Sequence, residues 1–167
     1  TSHDVLEYIV IAGKKLGYTA GRDFFLGTDV GSSELYDEKK KKYSFKIDGS
    51  SLSSEELVNL YVSWFKKYQM FFIEDGVAED DWAGWKLITE KLGKKVMLIG
   101  DDLFTTNTER LKLGIKNKVA NAVLIKPNQV GSVAEAMATI KMAKETGYKS
   151  MISHRSGETC DDVIADL

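Results

Sequence analysis

The chain has one cysteine, Cys160, and so can form no internal disulfide; a reduced thiol in a cytosolic setting is the expected reading. No apolar run approaches the ~20 residues that a bilayer crossing needs. The opening stretch TSHDVLEYIV lacks the basic-then-apolar layout of a secretory signal. Positive charge is not in excess either. The 23 Lys and Arg stand against 25 Asp and Glu, a net charge of -2, which argues against a dedicated nucleic-acid binder. No glycine-rich phosphate loop of the G-x-G-x-x-G or Walker type occurs, and no segment reads as a linker. These absences lead us to expect a soluble, cytoplasmic protein with neither a nucleic-acid partner nor a membrane span.

What remains is a chain of 167 residues that is 43% hydrophobic, enough for one globular domain with a core. Its pattern alternates. Short, nearly continuous apolar runs occupy 24–30 (FFLGTDV), 70–75 (MFFIED), 95–102 (KVMLIGDD), 121–128 (NAVLIKPN) and 149–156 (KSMISHRS). Such runs mark strands buried on both faces, as in a parallel sheet. Amphipathic helical patterns lie between them. The first places Leu6, Ile9, Gly13 and Leu16 on one face and stops at Gly17. Others open at capping-box spacing, Ser53 to Glu56, Thr106 to Glu109 and Ser132 to Glu135. Trp64, Trp82, Trp85 and the helical methionines sit at core spacing. A last helix is expected to begin at Asp161. The run of four lysines at 39–42 reads as a solvated loop before a small hairpin that turns at Asp48-Gly49.

Strand, helix, strand, helix with parallel-type strands specifies the α/β class. A doubly wound sheet would carry a glycine-rich loop after its first strand, and none is present. A β/α barrel places its chemistry at the carboxyl ends of many strands, and every strand-like run here ends in a functional group. The ends are Asp29, Glu74-Asp75, Asp101-Asp102, Lys126 and His154-Arg155-Ser156. One polar residue past a strand is unremarkable. Five in succession, in parallel strands that open on one face, describe a barrel active site.

The order of these groups narrows the chemistry. Asp29, Glu74 and Asp101 offer hard oxygen ligands from successive strands, which suits Mg²⁺ with positions left for water and substrate. A lysine set beside cations is biased toward its neutral amine, which can accept a proton. Arg155 and Ser156 are suited to a phosphate. A metal, a base and a phosphate anchor match proton removal beside a carboxylate.

The motifs LGTDVGSSELY (26–36), IEDGVAEDDW (73–82), IGDDLFTTNTERL (99–111), LIKPNQVGSV (124–133) and SHRSGET (153–159) resemble those of the enolases of bacterial type, in the same order along the whole chain. The resemblance implies Mg²⁺-dependent, reversible dehydration of 2-phosphoglycerate to phosphoenolpyruvate in glycolysis. It implies that Asp29, Glu74 and Asp101 bind the metal, and that Lys126 is the base. Glu74, Asp101, Lys126, His154, Arg155 and Ser156 would line the substrate, with Arg155 and Ser156 on its phosphate; a structural role for His154 stays open. It also implies a partial TIM-type barrel of about five β/α units over 1–167. The N-terminal domain, the ligand of a second Mg²⁺ in that N-terminal part, the first barrel strands with a general-acid glutamate, and the last strand with a second lysine would lie outside these residues. The full-length protein would be a homo-oligomer, cytoplasmic and in some relatives also at the cell surface. Two other readings stand beside this one: another proton-abstracting enzyme of the same superfamily, and a non-catalytic binding or scaffold fragment.

Overall fold

The computed structural model describes residues 2–47, 49–154 and 163–167, Ser2 and His3 by their backbone alone. Helix α1 (Ser2–Lys15) leads into strand β1 (Leu26–Asp29). A 3-10 turn (Ser32–Leu35) and three short strands follow, β2 (Tyr36–Asp37), β3 (Lys42–Ser44) and β4 (Ser51–Leu52). Then come α2 (Ser54–Lys67), β5 (Met70–Glu74), α3 (Trp82–Leu92), β6 (Met97–Gly100), α4 (Thr108–Asn117) and β7 (Ala122–Ile125). The single turn α5 (Pro127–Val130), α6 (Val133–Glu145) and β8 (Lys149–Ile152) complete the series. A 3-10 turn at Val163–Ala165 stands in the stretch expected to be a last helix; its expected start, Asp161, lies outside the described residues, as does Asp48 of the hairpin turn.

The fold is α/β, as the alternation requires. Strands β1, β5, β6, β7 and β8 are parallel neighbours in that order, and β2, β3 and β4 form a separate antiparallel sheet. Register sorts the parallel strands' side chains into two layers, because residues paired across parallel strands share a face. One face carries Phe72, Met97, Ile99, Ala122, Leu124 and Met151, which form a small cluster of their own. The opposite face carries Ile73, Leu98, Val123 and Ile125, and these join the large core built with the helices. Helices contribute Leu57, Tyr61, Trp64, Trp85, Ile88 and Leu111 to it, so the tryptophan stripe is core. Asp29, Glu74, Asp101 and Lys126 continue the alternation of the small cluster and stand at its carboxyl end.

Two expectations about burial change. Strand β7 is buried at all four positions, whereas in β8 only Met151 is even partly covered. The reason is position: β8 is an outer strand, with one neighbour among the described residues. On α1, Leu6 is buried but Ile9 and Leu16 are 44% and 75% exposed. That helix is held mainly at one edge, where Glu7 accepts from Lys67 and Tyr68 at 2.7 and 2.9 Å, and where Gly13 lies against the ring of Phe24.

Helix starts follow the sequence at two of three places. Ser53 and Glu56 form a reciprocal capping box on α2, and Ser132 accepts from the Glu135 amide on α6. On α4 the cap is Asn107, which accepts from the amides of Glu109 and Arg110 at 2.8 and 3.1 Å. Thr106, the expected cap, turns inward instead.

Candidate active site

Parallel register brings the strand ends together. Asp29 and Glu74 are direct partners at the ends of β1 and β5. Asp101 follows β6 by one residue, Lys126 follows β7 by one, and His154 follows β8 by two. Asp29 is exposed, and its Oδ1 accepts from the Gly31 amide at 3.0 Å. Glu74 is 9% exposed. Burial pushes its carboxyl up to about 7, with the nearby charges of Asp29, Asp101 and Asp102 adding and Lys126 opposing. Glu74 therefore stands within electrostatic reach of three other expected site residues, Asp29, Asp101 and Lys126.

Lys126 and Asp101 form an ion pair, with both side chains about six-sevenths buried. The other oxygen of Asp101 accepts from the Gln129 side-chain amide at 2.9 Å. His154 is exposed, and its carbonyl accepts from the Ser153 hydroxyl at 3.2 Å. Arg155 and Ser156, expected to hold a phosphate, lie outside the described residues.

Asp75 has a role the sequence did not disclose. It is 3% exposed, adopts a left-handed backbone conformation with φ 41, and accepts from the amides of Asp101 and Asp102 at 3.1 and 2.9 Å. It thus buckles the turn that carries Asp101. Burial pushes its carboxyl up to about 7, against the pull of those two amides. Asp75, Asp101 and Asp102 also form a group among the described residues in which one carboxylate oxygen from each lies within 4.8 Å of the others. The close trio therefore differs from the expected Asp29, Glu74 and Asp101 and shares only Asp101 with it. Both Asp75 oxygens accept backbone hydrogen bonds and both Asp101 oxygens accept from side chains, Lys126 and Gln129, so a cation here would compete with Lys126 for Asp101 and would find Asp102, Glu74 and Asp29 beside it.

The donor set fits a hard divalent cation. It is made of carboxylate oxygens alone, crowded in a partly dry setting with Lys126 as the opposing charge. Sequence reasoning also passed over Thr106 and Gln129. Thr106 was read as a helix cap, and Gln129 follows Lys126 too closely to stand out from a helix start. An apolar cavity of about 590 Å³ between β1, the hairpin of β3 and β4, and α2 shares only Asp29 with the acidic cluster. No helix among the described residues is long and apolar enough to cross a membrane.

Five parallel strands, a layer of helices on one face, and acids with a lysine at the carboxyl ends are the parts of a β/α-barrel enzyme site. The family model described as enolase, C-terminal TIM barrel domain, matches residues 1–167. The match spans the full chain and agrees with the α/β fold and its parallel strand order. The chain belongs to the enolase family through its C-terminal TIM barrel domain.

Proposed function

We propose that the protein catalyses the Mg²⁺-dependent, reversible dehydration of 2-phosphoglycerate to phosphoenolpyruvate. The observation that carries this reading is the buried Lys126–Asp101 pair beside Glu74 and Asp29, at the carboxyl ends of parallel strands in a chain of this family. Asp29, Glu74 and Asp101 would hold the metal, with Asp102 adjacent. When bound, Mg²⁺ supplies the positive charge that balances the anion developing beside the substrate carboxylate.

The chain's own residues do the rest. Lys126, once its ammonium has given a proton to solvent, would present a neutral amine that takes the proton from C2 of the substrate, and Asp101 would serve among the residues that hold the metal. Arg155 and Ser156 anchor the phosphate, and His154 borders the substrate. Hydroxide leaves from C3, so one water is lost overall; the group that protonates it lies, on this reading, on strands outside these residues, as does a second lysine. In this reading the complete protein is a cytoplasmic, glycolytic homo-oligomer of the bacterial enolase type, and residues 1–167 are part of its barrel.

The test follows phosphoenolpyruvate formation from 2-phosphoglycerate by ultraviolet absorbance, in the full-length protein and in the 167-residue chain. We expect turnover in the full-length protein and little in the 167-residue chain, because active-site groups that act as a unit do not contribute independently. Lys126→Ala is expected to lower kcat by roughly 100-fold or more, the usual contribution of a positioned base. Preferential turnover of carboxylates without phosphate would overturn the substrate assignment. Full activity in Lys126→Ala would overturn the role of the lysine.

A further inference from the structure

Thr106 is fully buried and sits, with Thr105 before it, in left-handed backbone conformation, at φ 53 and 47. A β-branched residue rarely adopts that conformation, and neither position is relieved by glycine. Packing and hydrogen bonds hold the turn: the Thr139 hydroxyl, itself fully buried, donates to the Thr106 carbonyl at 2.8 Å. The Thr106 hydroxyl reaches three further groups, the Lys126 amide at 2.8 Å, the Leu124 carbonyl at 3.1 Å and Gln129 Oε1 at 3.0 Å.

Donor and acceptor chemistry fixes the direction of each bond. The carboxylate of Asp101 can only accept, so the Gln129 NH2 must face it. That leaves the Gln129 oxygen toward Thr106, whose hydroxyl donates to it and shares its proton with the Leu124 carbonyl. The same hydroxyl accepts from the Lys126 amide. The ring then closes through the Lys126 ammonium on the second oxygen of Asp101. Every polar group in the circuit has a partner of the right sense.

We infer that Thr106 and Gln129 are positioning residues of this site, a hydrogen-bonded clamp that sets Lys126 and Asp101 in register with each other. The inference rests on the reading of Lys126 as proton acceptor and Asp101 as metal ligand. Thr106 holds the backbone from which the lysine springs, and Gln129 fixes the plane of the carboxylate. Gln129 is one bond removed from Asp101, a position that typically matters by about 10–100-fold in metal affinity or activity, and Thr106 acts through Gln129 and the Lys126 amide.

The experiment compares Thr106→Val, Thr106→Ser and Gln129→Met in the full-length protein. Calorimetric titration with Mg²⁺ alone gives the metal affinity, and steady-state turnover of 2-phosphoglycerate gives kcat and KM. Thermal unfolding identifies any variant that fails to fold. Thr106→Val and Gln129→Met are expected to lose roughly 10–100-fold in Mg²⁺ affinity and in kcat, with a smaller change in KM. Thr106→Ser, which keeps the hydroxyl and so its bonds to Lys126, Leu124 and Gln129, is expected to stay closer to the parent than to Thr106→Val. Unchanged Mg²⁺ affinity and kcat in Gln129→Met overturn the clamp, and so does a Thr106→Ser variant as impaired as Thr106→Val. Should Thr106→Val fail to fold, Gln129→Met, at a partly exposed site, decides the matter. A parent without turnover of 2-phosphoglycerate would sink the reaction reading, and the Mg²⁺ affinities would still judge the clamp.

Discussion

Gly27 shows how little room one residue has beneath the site. It pairs with Phe72 across β1 and β5, two residues before Asp29, and a Cβ there would lie 2.0 Å from the Phe72 ring. Phe72 belongs to the small inner layer under the acids. Gly27→Ala must therefore push the ring off that layer or β1 off β5. Overpacking of this kind costs about 1–3 kcal/mol, to be read as a fall in the denaturant midpoint at constant slope. The strand-end residues Asp29, Glu74, Asp101 and Lys126 were legible because a short apolar run announces its own end. Asp75 and Thr106 were not, because left-handed backbone at Asp and Thr carries no sequence mark of the kind glycine gives. Their roles come from bonds across ~20 residues or more of chain, Asp75 to the Asp101 and Asp102 amides and Thr106 to the Lys126 amide.

Among the elements, α4 separates a local signal from its tertiary correction. The string TTNTER offers two candidate caps one residue apart. Capping-box spacing favours Thr106, but the claim of Lys126 and Gln129 on that hydroxyl is stronger, and Asn107 takes the cap. Asn107→Ala is expected to lower stability by about 1 kcal/mol, the usual value of a side-chain cap. Glu109→Ala should leave the unfolding midpoint close to the parent's, since Glu109 is exposed and pairs with Lys112 rather than closing a box. Equal losses in the two variants would restore the box at Thr106. The other helices were readable for the opposite reason. The hydroxyls of Ser53 and Ser132 bond Glu56 and Glu135 within their own first turns, with no tertiary competitor among the described residues, so local chemistry decides. The outer strand β8 and helix α1 read as more buried than they are, because an apolar pattern records what a segment can cover and not what stands beside it.

Charge is the property that belongs to the whole molecule. The net charge of -2 is small, yet Asp29, Glu74, Asp75, Asp101 and Asp102 gather at one end of one sheet, facing Lys126. Folding concentrates these carboxylates and dries Glu74, Asp75 and Asp102, which disfavours the charged forms of those three in the folded state. A divalent cation bound there should therefore stabilise the native protein and not the unfolded chain, where Asp29, the Glu74-Asp75 pair and the Asp101-Asp102 pair are far apart. By mass action, Mg²⁺ at about 100 times its dissociation constant adds roughly 2.7 kcal/mol. For a domain of this size that corresponds to a rise in Tm of about 5–10 °C. Chelation should reverse the rise, and sodium chloride at matched ionic strength should not reproduce it, because screening lacks the site's geometry. Asp101→Asn should remove most of the gain, since Asp101 belongs to both the close trio and the expected ligand set. A rise that survives Asp101→Asn would place the ion elsewhere on the protein and would separate metal binding from the proposed chemistry.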